Sequence, residues 1–126
     1  MNSINELIEQ IFEGFNVDSM TIPVSFLYYQ GHGEPYITYQ QVNADNVFSA
    51  DDDMEAYVDY YDFDIYAKGN YLNIVESVIQ LSKLHGFMWQ PSLSSGDMYE
   101  TDTGYYHKTL NFAIIKGGIN QWHGLV

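Results

Sequence analysis

The sequence predicts an α+β domain with a mainly antiparallel sheet of four to five strands and two helices, in the order α-β-β-β-α-β-β. Three observations carry this: an apolar stripe at helical spacing near the N-terminus, two-residue alternation in "YVDYYDFDIYAK" (57–68) and "YYHKTLNFAIIK" (105–116), and a second helical stripe between them. At 126 residues and 14.5 kDa the chain is expected to be a single domain over 1–126.

The first helix opens with Ser3 and Glu6 at capping-box spacing, followed by Ile4, Leu7, Ile8, Ile11, Phe12 and Phe15 on one side. "TIPVSFLYY" reads as a first strand, with Pro23 suiting a sheet edge because proline donates no ladder hydrogen bond. "QGHGEP" supplies a turn. The second strand, "YITYQQV", is expected to end where a long acidic loop, 43–55, begins.

In the third strand Tyr57, Tyr61, Phe63, Ile65 and Ala67 share one face, interrupted by Asp59; Val58, Tyr60, Asp62, Asp64, Tyr66 and Lys68 share the other. The first face reads as core and the second as aromatic and charged. A second helix from Tyr71 to His85 places Leu72, Val75, Val78, Ile79 and Ser82 inward, and Gly86 stops it. "FMWQP" reads as a short strand and "SLSSGDMYETDTG" as a loop. In the last strand Tyr106, Lys108, Leu110, Phe112 and Ile114 oppose Tyr105, His107, Thr109, Asn111 and Ala113, and a short tail (117–126) follows.

Composition narrows the function classes. The net charge is −13, with four lysines, no arginine and no cysteine. Phosphate clamping and base reading rely on arginine, so specific nucleic-acid binding is disfavoured; thiolate metal sites and disulfides are closed. The N-terminus lacks the pattern of a signal peptide, and no apolar stretch reaches spanning length, so no membrane partner is expected.

Nothing in the pattern points to catalysis. His32, His85, His107 and His123 are scattered, Asp51, Asp53 and Glu55 fail the EF-hand spacing, and no phosphate loop or nucleophile elbow occurs. The chain reads as a non-enzyme without cofactor or metal. What remains is surface: six of the 12 tyrosines lie in two neighbouring strands, and tyrosine combines large contact area with a polar tip. Tyr60 and Tyr66 are the expected subunit interface. Val47 and Phe48, stranded among Asp51, Asp52, Asp53 and Met54, are the expected partner-binding loop.

The motifs "PYITYQQV", "YDFDIYAKGNYLNIVESVIQLSKL" and "YYHKTLNFAIIK", in this order of elements, resemble the tail-completion or tail-terminator (head-to-tail joining) proteins of long-tailed bacteriophages. The pattern falls on Pro35 to Tyr39, Phe63 to Ala67, Tyr71 to Leu84 and Tyr105 to Lys116. The resemblance implies a virion assembly protein of the tail or neck, put together in the host cytoplasm. Its copies would form a ring, commonly a hexamer, between the tail-tube protein and the head-connector protein, with DNA passing through. No catalytic residue carries over. The alternative is an acidic inhibitor or DNA mimic, with Asp51 to Asp53, Asp59, Asp62 and Asp64 standing in for phosphates against a basic partner.

Overall fold

The computed structural model describes residues 3–31, 33–49 and 55–116; the side chains of 46–49, 55, 56 and 116 lie outside that description. The fold is α+β. Its elements are α1 (Ile4–Ile11), β1 (Asn16–Val17), β2 (Met20–Thr21), β3 (Val24–Phe26), β4 (Tyr36–Ser49), β5 (Glu55–Ala67), α2 (Leu72–Leu84), β6 (Met88–Trp89), β7 (Met98–Glu100) and β8 (Tyr105–Lys116).

Both ends of the helical signal behave as local chemistry dictates. The Ser3 hydroxyl accepts from the Glu6 amide at 3.1 Å while Glu6 accepts from the Ser3 amide at 2.8 Å, the reciprocal pair of a capping box. At the end of α2, Gly86 takes φ 92°, and the amides of Gly86 and Phe87 return to the carbonyls of Lys83 and Ser82. This is a Schellman closure, and only glycine meets its positive φ without strain. Leu72, expected inside α2, is 60% exposed; it sits at the first turn, before the helix meets the sheet, and Ile74 is buried instead.

The main sheet has six strands, more than the four to five expected, in the order β3-β4-β5-β8-β6, with β7 also on β8. β6 and β7 are two short pieces lying along one edge of β8, opposite Ala113–Phe112 and His107–Tyr105 respectively. β3 runs parallel to β4, so "QGHGEP" belongs to a crossover and closes no hairpin. β1 and β2 form a separate hairpin whose turn residues, Asp18 and Ser19, both have positive φ, the geometry favoured by two-residue hairpins.

The largest departure from expectation concerns 43–55. Backbone pairing continues through Asn43↔Tyr60, Asp45↔Val58 and Ser49↔Glu55, so most of the expected acidic loop is the outer part of a β4–β5 hairpin. Val47 and Phe48 therefore lie in β4, and Asp51, Asp52, Asp53 and Met54 lie outside the described residues. Register shifts at Gln41/Asn43 and Asn46/Phe48 interrupt the alternation, and Gln41 to Asp45 are all exposed.

Both helices pack on one face of the sheet. Ile4, Ile8 and Phe12 of the first helical segment and Val75, Val78 and Ile79 of the second join Tyr61, Phe63, Ile65, Leu110 and Phe112 in a single core. Phe63 is its hub: fully buried, its ring lies 5.4 Å from Phe12, 5.8 Å from Tyr39 and 5.5 Å from Phe112. β5 presents the inward face that its alternation predicts from Tyr61 to Ala67 and β8 from Leu110 to Ile114; Tyr57, expected in the core, is 40% exposed because it lies on the outer part of the β4–β5 hairpin, beyond the helices, and Asp59 on the same face is buried.

Candidate functional site

Among the described residues, the opposite face of β4, β5 and β8 carries no α-helix. The β4–β5–β8 register lays its side chains in cross-strand rows: Tyr36, Tyr66 and His107; Thr38, Asp64 and Thr109; Gln40, Asp62 and Asn111; and, past the register shift after Gln41, Asn43, Tyr60 and Ala113. Side chains aligned in this way sit close enough to touch across strands. The face is shielded by these large side chains and, at its margins, by Tyr29 from a flanking loop and Leu93 from a short 3-10 helix, Pro91–Leu93.

The first row is an aromatic stack. Tyr29 stacks on Tyr36 at 4.9 Å, Tyr36 on Tyr66 at 4.8 Å and Tyr66 on His107 at 4.2 Å, and Tyr105 meets Tyr36 edge-on at 5.9 Å. Burial, with Asp64, Tyr36 and Glu100 adding negative charge nearby, pushes the Tyr66 phenol up to about 12. Tyr66, expected at a subunit interface, is accordingly a half-buried member of a rigid stack. Tyr60, expected beside it, is half-buried three rows along, and no contact joins the two among the described residues.

The second row is polar and was illegible in sequence. His107 Nε2 lies 3.1 Å from Asp64 Oδ1, its Nδ1 lies 3.7 Å from Glu100, and Thr109 donates to the same Asp64 oxygen at 2.5 Å. Asp64, which shows no orienting partner when read along β5, has two on β8. Thr109 Oγ1 also lies 3.5 Å from His107 Nε2, which closes a three-membered polar group. It stitches β5 to β8. In the third row Asn111 Nδ2 donates to Asp62 Oδ1 at 2.7 Å. Burial, with help from Asp64, raises the Asp62 carboxyl above the ordinary carboxylate range, and the Asn111 hydrogen bond opposes that rise.

Two features adjoin this face. Beyond Tyr39 the outer edge of β4 has no strand partner among the described residues, leaving a row of backbone groups open to pairing. On the helix side, Tyr71 donates to Asp97, which Lys108 also approaches at 3.4 Å; both hold the Asp97 carboxyl below the ordinary carboxylate range, the Tyr71 hydrogen bond most strongly.

Among the described residues, no cluster of three or more His, Asp or Glu side chains is arranged to hold a metal ion, and no helix is long and apolar enough to cross a membrane. Comparison with models of known protein families and with curated proteins gives no match.

Proposed function

We propose that the chain is a structural subunit of the head-to-tail interface of a long-tailed bacteriophage, a ring-forming protein that terminates the tail tube and joins it to the head connector. The observation that carries this reading is the face of β4, β5 and β8 that no α-helix covers, with a pre-stacked tyrosine row at one end and the open edge of β4 past Tyr39 towards the other. A sheet with its helices on one side either faces water with polar side chains or meets a partner. Here one end of the outward face is a rigid aromatic stack, the kind of surface enriched in contacts, and the rows beside it are polar side chains largely tied to one another.

The phage setting is supported by the motifs around Pro35 to Tyr39, Phe63 to Ala67 and Tyr105 to Lys116, which lie on the three strands that build the face. A ring needs head-to-tail contacts between two different patches of each subunit, and the stacked face and the open β4 edge are two such patches. Copies carrying −13 each repel one another, so the contacts must be tyrosine and backbone rather than ion pairs. The same charge keeps passing DNA from adhering. Asp62 and Asp64 are tied to Asn111, His107 and Thr109, which weighs against a DNA-mimic role for them.

The test is genetic. Inactivating the gene in the phage that carries it is expected to give filled heads and finished tubes that remain separate, with joining restored by the gene supplied in trans. Intact infectious virions from the inactivated phage would overturn the assignment.

A further inference from the structure

The two longest runs of the chain without Asp, Glu or Lys are 19–33 and 84–96. The fold puts them at opposite edges of the main sheet. The first contains β3 and the second β6, the end strands of the order β3-β4-β5-β8-β6, and neither has a strand on its outer side among the described residues. Each run also presents large apolar side chains to water: Phe26, Leu27 and Tyr28 at one edge, Leu84, Met88 and Trp89 at the other. Edge strands ordinarily carry charge that discourages pairing with another chain; β3 and β6 carry none.

The turn after β3 is strained. Leu27 has φ 70°, and the amide of Tyr28 returns to the carbonyl of Phe26 at 2.8 Å, which makes a γ-turn of the rare form that glycine adopts more readily. Backbone strain of this kind clusters at functional positions. Here it holds three exposed apolar side chains in succession at the sheet edge.

We propose that the β3 edge of one copy meets the β6 edge of another, so that the sheet continues from subunit to subunit. β3 is parallel to β4, and so is β8, two antiparallel steps away; β6 is antiparallel to β8 and hence to β3. A neighbouring copy in the same orientation therefore brings its β3 antiparallel to β6, the more stable type of ladder. The faces agree as well. Phe26 shares a face with Tyr39 and Trp89 with Phe112, both on the side of the helices, so the join sets Phe26 of one copy beside Trp89 of the next. Through the register Phe26 stands level with Leu110 and Trp89 with Phe112, a stagger of the kind that closing a sheet demands. Neither edge brings a like charge to the join, which matters between copies of net charge −13. Two β3 edges paired with each other would stop at a dimer and leave β6 exposed; the β3–β6 contact is head-to-tail and covers both.

This contact rests on the ring reading and adds a second pair of patches to the tyrosine face. The chain has no cysteine, so introduced thiols report the contact without background. Full chains carrying Leu27→Cys and Met88→Cys are treated with a short bismaleimide, separately and mixed, over a range of protein concentration and salt. The mixture is expected to give a cross-linked dimer and neither variant alone to give one; a chain with both substitutions should give a ladder of larger species. Leu27→Gly keeps the turn without its strain and should leave the subunit folded, by circular dichroism, while weakening self-association about tenfold in sedimentation.

Cross-linking of either variant to itself would overturn the proposal. So would a native chain that stays monomeric under every condition, or a Leu27→Gly chain that associates as tightly as the native one. Oligomers without cross-linking in the mixture, from a phage whose heads and tails stay separate when the gene is inactivated, would overturn this contact alone. The expected cross-links in a chain whose inactivation leaves virions intact would overturn the phage reading alone.

Discussion

Replacing Phe63 and Tyr66 by alanine, one at a time, separates the two faces of β5. Phe63 is fully buried and touches the rings of Phe12, Tyr39 and Phe112, so Phe63→Ala removes a large apolar side chain from a site walled by three rigid aromatics that cannot collapse into the gap. The expected loss is roughly 3–5 kcal/mol, which lowers the melting temperature of a domain this size by about 15 °C. Tyr66 is half-buried and stacks on Tyr36 and His107. Two aromatic contacts contribute about 0.5–1.5 kcal/mol each beyond area burial, and the half-buried ring collects only part of the burial that Phe63 does, so the loss for Tyr66→Ala should be smaller than that for Phe63→Ala. Urea unfolding followed by circular dichroism, at a protein concentration where the subunit is monomeric, measures both. Assembly should then be impaired by Tyr66→Ala in a subunit that is still folded. Equal destabilisation by the two substitutions would refute the one-sided sheet and, with it, the availability of the tyrosine face.

Three further outcomes follow from local geometry. Ser3→Ala removes one half of the capping box and should cost about 1 kcal/mol in the same unfolding assay. The phenols of Tyr61 and Tyr66, both pushed up to about 12 chiefly by burial, stay neutral in the fold where those of an unfolded chain ionise near 10. This contribution should therefore be complete below pH 10 and fall between 10 and 12, and in an ultraviolet difference titration Tyr61 and Tyr66, together with the likewise raised Tyr36, Tyr39 and Tyr71, should titrate later than an unfolded chain's phenols. The lowered Asp97 carboxyl works in the opposite sense: its contribution is present above the unfolded value near 3.8 and is lost as pH falls through the lower folded value. The stability gap between the native chain and Tyr71→Phe should accordingly hold at neutral pH and narrow in acid, as read from melting temperatures across that range.

What the sequence discloses here tracks how local the determining interactions are. The capping box at Ser3, the glycine stop at Gly86 and the two-residue alternation of β5 and β8 depend on neighbours within a few residues, and each appears as read. The extension of β4 to Ser49 was hidden because the register shift after Gln41 flips the alternation, and because residues exposed on both faces of a projecting hairpin look like loop residues. The β1–β2 turn uses Asp18 and Ser19 where glycine or asparagine would signal it. β7 is three residues held by β8 within a stretch of turn formers. The polar rows were beyond reach for a different reason: Asp64 meets His107 and Asp62 meets Asn111 only through the β5–β8 register, across more than forty residues of chain. Of the expected interface residues, Tyr66 proves part of a stack that only the pairing of β4, β5 and β8 could assemble.

The claim that this chain assembles through its tyrosine face is tested most directly by sedimentation velocity over a range of protein concentration and salt. Screening of the −13 charge should strengthen association through uncharged contacts, so oligomers should grow with both concentration and ionic strength, and Tyr66→Ala should weaken them. A subunit that stays monomeric at high concentration and high salt, or oligomers that dissolve as salt is added, would contradict the account.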